Sequence, residues 1–296
     1  MRSVGLTAAI VVLAFAFVGT AIASESIGLN AAMLGRGGTS VSFTNEDATG
    51  FTNPATLSNI DVDGQASDPE DKWVGQFGYS QDMQADDDVW LLQGAARRRG
   101  DTYGIGLGYA EAFDDHLFYA AYGDRFVEKP GDNGWSWGLN LKSWASSRYM
   151  RSHTNEITLD AGLSYTNTTK LFGGGNWSFG AVAVDALDRW QRYYNAGVGL
   201  QLGRLRLAAD AIDVSDEWDT EFNFGAEYEV CKYFTARAGS MDSDLTFGAT
   251  LKYGRLAIDY GWLDLDVDNH VIPQNGCECE VDDDYDALSV RYVYSW

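Results

Sequence analysis

The sequence predicts a membrane-spanning β-barrel of fourteen antiparallel strands over residues 73–296. Three observations predict this fold class: alternation of large apolar with small or polar residues, turn-rich breaks at intervals of roughly ten positions, and an amphipathic last segment ending in an aromatic residue. The composition agrees, because the chain has 33 Gly, 14 Phe, 10 Trp and 16 Tyr but only 4 Pro. Many aromatic residues and few prolines favour strands over helices.

The first residues resemble a secretory signal peptide. Met1 and Arg2 form a short basic start, residues 6–18 are almost wholly apolar, and Ala21 and Ala23 form a small-x-small cleavage site. A membrane-spanning helix needs about 20 apolar residues, which is more than this run provides. The sequence therefore predicts a signal peptide at residues 1–23 and export of the chain.

The alternation is clearest in residues 222–230. Phe222, Phe224 and Tyr228 lie on one face of a strand there, whereas Asn223 and Glu227 lie on the other. Similar segments follow one another along the chain. The predicted strands are 73–80, 88–96, 102–110, 116–126, 135–144, 156–166, 176–186, 193–202, 205–213, 221–230, 233–240, 244–253, 255–264 and 285–296. Fourteen is an even number, as expected for a bacterial barrel.

The connections should alternate between short turns and longer loops if both ends of the barrel are regular. Gly203–Arg204, Cys231–Lys232 and Gly254 predict tight turns, whereas residues 81–88, 145–155, 187–192 and 265–284 predict longer, mostly acidic loops. Residues 167–175 are a longer, glycine-rich exception. The alternative is a periplasmic β-sandwich, which would have fewer strands and would point its apolar faces inward.

The last predicted strand ends in aromatic residues. Tyr292, Tyr294 and Trp296 share one face, and the given sequence ends at Trp296. This pattern resembles the signal that the bacterial barrel-assembly machinery recognises, so that machinery is an expected partner. A strand that happens to end in Trp is the alternative.

Residues 24–72 do not alternate and predict a compact plug inside the barrel. Gly35, Gly37 and Gly38 form a glycine-rich turn, and Asn53-Pro54-Ala55 forms a second turn, since Asn-Pro favours turn initiation. The spacing G-R-G-G-x-S-V, then D-A, then N-P-A-x-L resembles the N-terminal hatch of the FadL family of outer-membrane transport proteins. That grouping includes fatty-acid and aromatic-hydrocarbon channels and the PorV-like proteins of type IX secretion.

The resemblance implies a fourteen-stranded barrel with a hatch at residues 24–72 and passive diffusion of hydrophobic molecules. It implies that the two plug motifs lie on the substrate path. It also implies a lateral opening at a kink in the third strand, where Gly104, Gly106 and Gly108 face one side. These glycines have a second interpretation, in which they only make space for the plug.

Other classes of function find less support in the sequence. The net charge of −22 disfavours nucleic-acid binding. The histidines are His116, at the first position of a predicted strand, and His153 and His270, in predicted loops. No hydrolase elbow or zinc-protease motif accompanies them, so we expect no enzyme and no cofactor. An active site built from scattered Asp and His residues at the rim is the alternative.

The last loop carries the weak candidates for a metal site. Asp264, Asp266 and Asp268 have a calcium-like spacing, but the glycine of a calcium loop is missing. Cys277 and Cys279 could bind zinc as thiolates. A solvated acidic loop without metal is the favoured interpretation.

The sequence therefore predicts an outer-membrane channel for passive uptake of long-chain fatty acids or hydrocarbons. Its expected partners are membrane lipid and hydrophobic small molecules. The alternatives are a PorV-like protein that serves protein secretion or surface attachment, and a general polar pore.

Overall fold

A computed structural model describes most of the barrel and parts of the segment before it. The described residues are 31–34, 36, 38–42, 50–60, 73–82, 90–112, 115–126, 133–145, 155–171, 175–189, 192–214, 220–264 and 285–295. The predicted signal peptide lies outside them and stays a prediction. The helices are α1 (Ala31–Leu34) and a 3-10 helix (Pro54–Asn59). Neither of these described helices is long and apolar enough to cross a membrane.

Fourteen strands form one closed antiparallel barrel, as the alternation predicts. In chain order they are β1 (Trp73–Asp82), β2 (Trp90–Arg98), β3 (Gly104–Ala112), β4 (Asp115–Arg125), β5 (Gly134–Ala145), β6 (Asn155–Leu171), β7 (Gly175–Val184), β8 (Tyr193–Leu202), β9 (Leu205–Ile212), β10 (Glu221–Cys231), β11 (Phe234–Met241), β12 (Asp244–Tyr253), β13 (Leu256–Leu263) and β14 (Tyr285–Ser295). Each strand pairs with its neighbours in sequence, and β1 pairs with β14 to close the ring. The predicted fold class is confirmed.

Most predicted connections differ from the structure by one or two residues, and two of the differences change which residues are in strands. Strand β6 continues to Leu171, so the glycine-rich connection expected at 167–175 shrinks to residues 172–174. The tight turn expected at Cys231–Lys232 lies at Lys232–Tyr233, because β10 continues to Cys231. The pairing with β7 is irregular there, since it passes from Asn167 opposite Trp177 to Leu171 opposite Gly175. The strand extends over these polar residues because backbone hydrogen bonding does not need an apolar face.

The two faces of the wall have opposite character. Large apolar side chains face outward, and those that are exposed include Leu107, Phe118, Leu139, Leu141, Ile157, Val198, Phe222, Phe224, Phe247 and Leu251. Their neighbours in sequence face inward and are mostly small, polar or charged, with large apolar exceptions such as Leu117 and Tyr119 on β4. This arrangement is what a barrel needs in lipid, since closure satisfies every ladder hydrogen bond and the outward apolar face meets hydrocarbon.

The connections alternate less strictly than expected. We call the end of the barrel with connections 83–89, 146–154 and 265–284 the loop end, and the opposite end, with Gly203–Arg204 and Gly254–Arg255, the turn end. Two connections at the loop end are also very short, at residues 113–114 and 242–243. The predicted alternation of short turns and longer loops therefore holds only in part.

The loop end uses aspartate where the turn end uses glycine. Asp185, Asp213 and Asp242 have φ values of 45°, 48° and 45°, whereas Gly203 and Gly254 have 60° and 61°. The N–H groups of these three aspartates donate to side-chain oxygens one strand earlier: Asp160 at 3.1 Å, Asn195 at 3.0 Å and Asn223 at 3.1 Å. Asp tolerates this left-handed backbone better than most residues, and the repeated hydrogen bond stabilises it.

The outward face gives a direct test of membrane insertion. Leu141 lies in β5 opposite the middle of β4 and is 50% exposed. Leu141→Arg is expected to lower the free energy of unfolding from lipid vesicles by about 2–4 kcal/mol, because a guanidinium near the bilayer centre is costly. Urea unfolding followed by tryptophan fluorescence measures this change.

The matched control is Tyr253→Arg at the turn end, where the side chain is 84% exposed. An arginine near the membrane surface is expected to cost about 0–1 kcal/mol. If both substitutions had equal, small effects on the free energy of unfolding, the outward-facing apolar side chains would not contact lipid.

Candidate functional site

The described part of the N-terminal segment, residues 31–34, 36, 38–42 and 50–60, packs against the inward face of the barrel. A row of glycines on the five successive strands β3–β7 receives it, Gly104, Gly123, Gly138, Gly162 and Gly180, together with Gly225 on β10. A Cβ atom at any of these positions would overlap Leu57, Pro54, Asn53, Val41 or Arg36. The missing side chains let the backbone of the segment lie directly on the wall.

Inward-facing polar side chains bind the backbone of this segment. The Asp210 carboxylate of β9 accepts from the N–H groups of Ser40 at 2.6 Å and Val41 at 2.8 Å. Asn140 of β5 donates to the carbonyl of Phe51 at 3.1 Å, and Ser289 of β14 accepts from the N–H of Ala31 at 2.9 Å. Similar bonds join Ser178 to the Ser42 carbonyl at 2.9 Å and Arg97 to the Ile60 carbonyl at 2.7 Å.

The Asn53-Pro54-Ala55 motif lies at the centre of these contacts. Asn53 caps the 3-10 helix, since its Oδ1 accepts from the N–H of Ala55 at 3.1 Å. Its Nδ2 donates to the carbonyls of Val41 at 2.7 Å and Leu163 at 3.2 Å. One buried amide thus joins two parts of the segment to β6. The sequence predicts a turn at this motif. The hydrogen bond from Asn53 to the Leu163 carbonyl of β6 could not be predicted from the motif.

The glycine-rich motif is described in part. Gly38 has a φ of 69° and lies against Met241 and Asn223, whereas Gly35 and Gly37 lie outside the described residues. Their place on a substrate path stays a prediction.

The three glycines of the predicted lateral gate face inward. Gly104 lies against Leu57, and Gly108 lies against the ring of Tyr119. Strand β3 pairs with β2 from Gly104 to Glu111 without a break, and with β4 from Gly104 to Ala112. These contacts agree with the second interpretation, in which the glycines make space, and the gate itself stays a prediction.

An apolar strip extends from the loop end toward the segment. It consists of four buried inward-facing residues on β2, β3 and β4, namely Leu91, Ala110, Leu117 and Tyr119. Leu91 pairs with Ala110, which pairs with Leu117, and Tyr119 lies two residues deeper in the barrel. Phe51 of the segment contacts the Tyr119 ring edge to face, with ring centroids 5.1 Å apart.

The opposite part of the interior is charged. Glu227 of β10 lies 2.6 Å from Arg206 and 2.7 Å from Arg237, and Arg36 of the segment lies 3.9 Å from it. The network continues to Asp259, whose Oδ1 accepts from Thr250 at 2.5 Å and lies 3.4 Å from Arg291. Inward placement of Glu227, Asp259 and Arg291 agrees with the alternation in the sequence.

No protein-family model matches the chain, and no curated protein matches it by sequence. Solved structures do. A deltaS2S3 mutant of the monoaromatic hydrocarbon channel TodX aligns at 13% identity and a TM-score of 0.52, over 90% of this chain and 98% of the other. A Pseudomonas aeruginosa FadL homologue aligns at 11% identity and 0.52, over 90% and 98%.

The Ralstonia pickettii toluene transporter TbuX aligns at 11% identity and a TM-score of 0.50, over 90% of this chain and 97% of the other. This chain has the fold of the FadL-type channels. Together with the outward apolar band, the FadL-type fold supports a location in the outer membrane.

Other predicted site residues lie apart from this interior. Asp264 is exposed at the loop end, and Asp266 and Asp268 lie outside the described residues. Among the residues the structure describes, no three His, Cys, Asp or Glu side chains are grouped to hold a metal. Tyr292 and Tyr294 pair with Phe77 and Gly75 of β1, and Trp296 lies outside the described range.

Sequence reasoning missed the contacts of four residues that the fold brings to the N-terminal segment: Phe51, Tyr119, Lys142 and Asp210. Each lies in a predicted strand or in the predicted plug segment, but no local sequence motif indicates its contacts. The alternation does place Lys142 and Asp210 on the polar, inward face of their strands. Tyr119 could have been found as the one large aromatic residue on the inward face of predicted residues 116–126.

The glycine row allows a test of close packing. Gly138→Ala places a Cβ against the backbone of Pro54 and Ala55, so we expect a loss of about 1–3 kcal/mol in unfolding free energy from overpacking. Gly78→Ala is the control, because its Cβ would come no closer than 3.9 Å to a neighbouring atom. If both variants unfold at the same urea concentration, the segment does not lie on the wall at Gly138.

The Asp210 anchor allows a second test. Asp210→Asn keeps the shape but removes the charge that accepts two N–H groups, so a loss of about 1–3 kcal/mol is expected. Hydrogen exchange of the Ser40 and Val41 amides should become faster, whereas Asp264→Asn at the exposed rim should leave it unchanged. Unaltered exchange in Asp210→Asn would show that these two bonds do not hold the segment.

Proposed function

We propose that this protein is an outer-membrane channel through which hydrophobic compounds enter passively. The observation that carries the proposal is the apolar strip, Leu91, Ala110, Leu117 and Tyr119, which leads from the loop end to the N-terminal segment. An apolar solute gains free energy when it leaves water for such a surface, by about 25 cal/mol for each Å² that is buried. The fold shared with hydrocarbon channels adds support.

The N-terminal segment acts as a plug in this proposal. Its backbone is bonded to β5, β7, β9 and β14, so it crosses the interior from wall to wall. A solute that reaches Tyr119 meets the plug at Phe51. Onward passage then requires displacement of part of the plug or an opening in the wall, for which the glycines of β3 are the candidates.

A general polar pore is the second candidate, because the Arg36–Glu227–Asp259 network extends across the inner face of β9–β14. The charged side chains of this network form ion pairs with one another and with Arg36 of the segment, which leaves them less available to passing ions. A polar pore predicts steady ion conductance in planar bilayers, and the hydrophobic channel does not.

Uptake by cells tests the proposal. Cells that make the protein should accumulate labelled toluene or oleate faster than cells that lack it. Leu117→Asp should reduce this difference roughly tenfold, because it places a buried charge on the apolar strip. Val214→Asp is the control, since Val214 is exposed at the loop end and outside the strip.

Equal uptake by cells with and without the protein would contradict the proposal. Equal loss in both variants, with both folded and present at the same level, would contradict the role of the strip.

A further inference from the structure

Three neighbouring turns at the turn end each present one cation. Arg204 lies in the turn between β8 and β9, Lys232 in the turn between β10 and β11, and Arg255 in the turn between β12 and β13. All three residues are exposed. Neighbouring strands lie about 4.8 Å apart, so successive turns lie roughly 10 Å apart along the rim. We call Arg204, Lys232 and Arg255 the cation row.

Backbone hydrogen bonds hold the three turns side by side. The carbonyl of Arg204 accepts from an N–H group of β10 at 3.0 Å. In the same way, the carbonyl of Tyr233, next to Lys232, accepts from β12 at 2.8 Å, and the carbonyl of Arg255 accepts from β14 at 2.9 Å. Each turn is thus bonded to the strand beyond its own hairpin. The barrel therefore fixes the backbone of the cation row.

The three turns of the cation row contain no acidic residue. Glu229, the nearest acid along β10, belongs to the inward face of its strand. The turn between β2 and β3 differs, because its Arg98 lies 3.6 Å from Asp101 and has a counter-charge of its own. At the loop end, the connections after β9 and β11 carry Asp213 and Asp242 in place of cations. In a chain with a net charge of −22, β8–β13 therefore have one positive end.

Exposed tyrosines place the cation row at the depth of lipid headgroups. Tyr228, Tyr233 and Tyr253 lie at the same end of these strands and are 49%, 53% and 84% exposed. Tyrosine collects at the membrane–water interface, where its ring lies at headgroup level. The Lys232 ammonium lies 4.7 Å from the centroid of the Tyr233 ring, so the cation and the ring share one depth. Short turns of outer-membrane barrels face the periplasm, so this end meets the inner, phospholipid leaflet.

We propose that the cation row binds the phosphate groups of anionic phospholipids in the periplasmic leaflet of the membrane. Cations held at the membrane surface attract lipids with a net negative charge, whereas a zwitterionic headgroup offers no net charge. Anionic lipid would then collect beside β8–β13 and not around the whole barrel. This inference goes beyond the proposed uptake function and does not depend on it, because it needs only the barrel in a bilayer.

A probe on Cys231 tests this at the cation row itself, since Cys231 is exposed and precedes Lys232. It is labelled with a fluorophore in the full chain, with Cys277 and Cys279 replaced by Ser, and the protein is inserted into phosphatidylcholine vesicles. A small, equal fraction of either phosphatidylglycerol or phosphatidylcholine carries a nitroxide quencher close to the headgroup. We expect the phosphatidylglycerol quencher to be about threefold more effective. About 1 M NaCl should remove this preference, because the Debye length falls to about 3 Å.

A variant without the cation row assigns the preference to it. The combination of Arg204→Gln, Lys232→Gln and Arg255→Gln should lower the ratio of the two quenching efficiencies from about three to about one. All three side chains are exposed, so the barrel is expected to fold, which far-UV circular dichroism checks. An unchanged ratio in this variant would contradict the proposal.

The matched control combines Arg98→Gln, Arg189→Gln and Arg192→Gln. These three cations are also exposed but lie outside the cation row, so the net charge changes equally and the preference should remain. Equal quenching by the two lipids in the unaltered chain would overturn the proposal and point to a soluble anionic partner. Loss of the preference in the control as well would show that total charge, and not the cation row, attracts the lipid.

Discussion

The backbone of the N-terminal segment needs hydrogen-bond partners inside a closed barrel, and this need determines which residues the inner wall carries. Residues 38–42 and 50–60 include little regular structure that would pair their own N–H and C=O groups. An unpaired buried amide costs about 1–3 kcal/mol, so the wall has to supply partners. Asp210, Asn140 and Ser178 do this from three strands. The polar residues on the inward face are therefore explained by the segment they hold.

The same constraint explains the division of the interior. Where the segment touches the wall through its backbone, the wall has glycine, as at Gly123 and Gly225. Where the segment points a charged side chain at the wall, as at Arg36, the wall has acidic residues and further arginines. On β2–β4 the inward-facing residues between Tyr119 and the loop end are apolar. The segment places the ring of Phe51 next to them. A hydrophobic compound can follow that part of the interior without removing a charge from its partner.

The sequence could predict the wall because its signal repeats at every second residue. The apolar Phe222 and the polar Asn223 are already assigned to opposite faces by the alternation. The pairing of β10 with β9 and β11 then brings residues of the same face next to one another. The end of β6 was missed because residues 167–170 are polar on both faces and carry no alternation. The aspartate turns were missed because the usual signal for a left-handed turn is glycine.

The interior was less predictable because it depends on contacts between distant residues. Asn53 could be named from the resemblance of its motif, since the motif is local. Asp210 could not, because it lies 170 positions from Ser40 and only the closed barrel brings them together. Phe51 and Lys142 meet for the same reason: the segment must first be bound to β5 through Asn140 before the ring and the ammonium face one another.

In the proposed channel, the N-terminal segment lies against the inner wall and must move before a solute can pass. A disulfide that locks the segment to the wall tests this requirement. A Cβ on Gly199 would lie 2.6 Å from the Ser178 hydroxyl and 3.2 Å from the Ser42 hydroxyl, so these two side chains are neighbours.

Ser42→Cys and Ser178→Cys are combined in a chain whose Cys231, Cys277 and Cys279 are replaced by Ser, and toluene uptake is measured before and after oxidation. We expect the disulfide to form, uptake to fall when it does, and a reductant to restore uptake. If the two cysteines do not join, the segment does not lie at this part of the wall, and if uptake stays complete with the disulfide in place, the segment does not control passage.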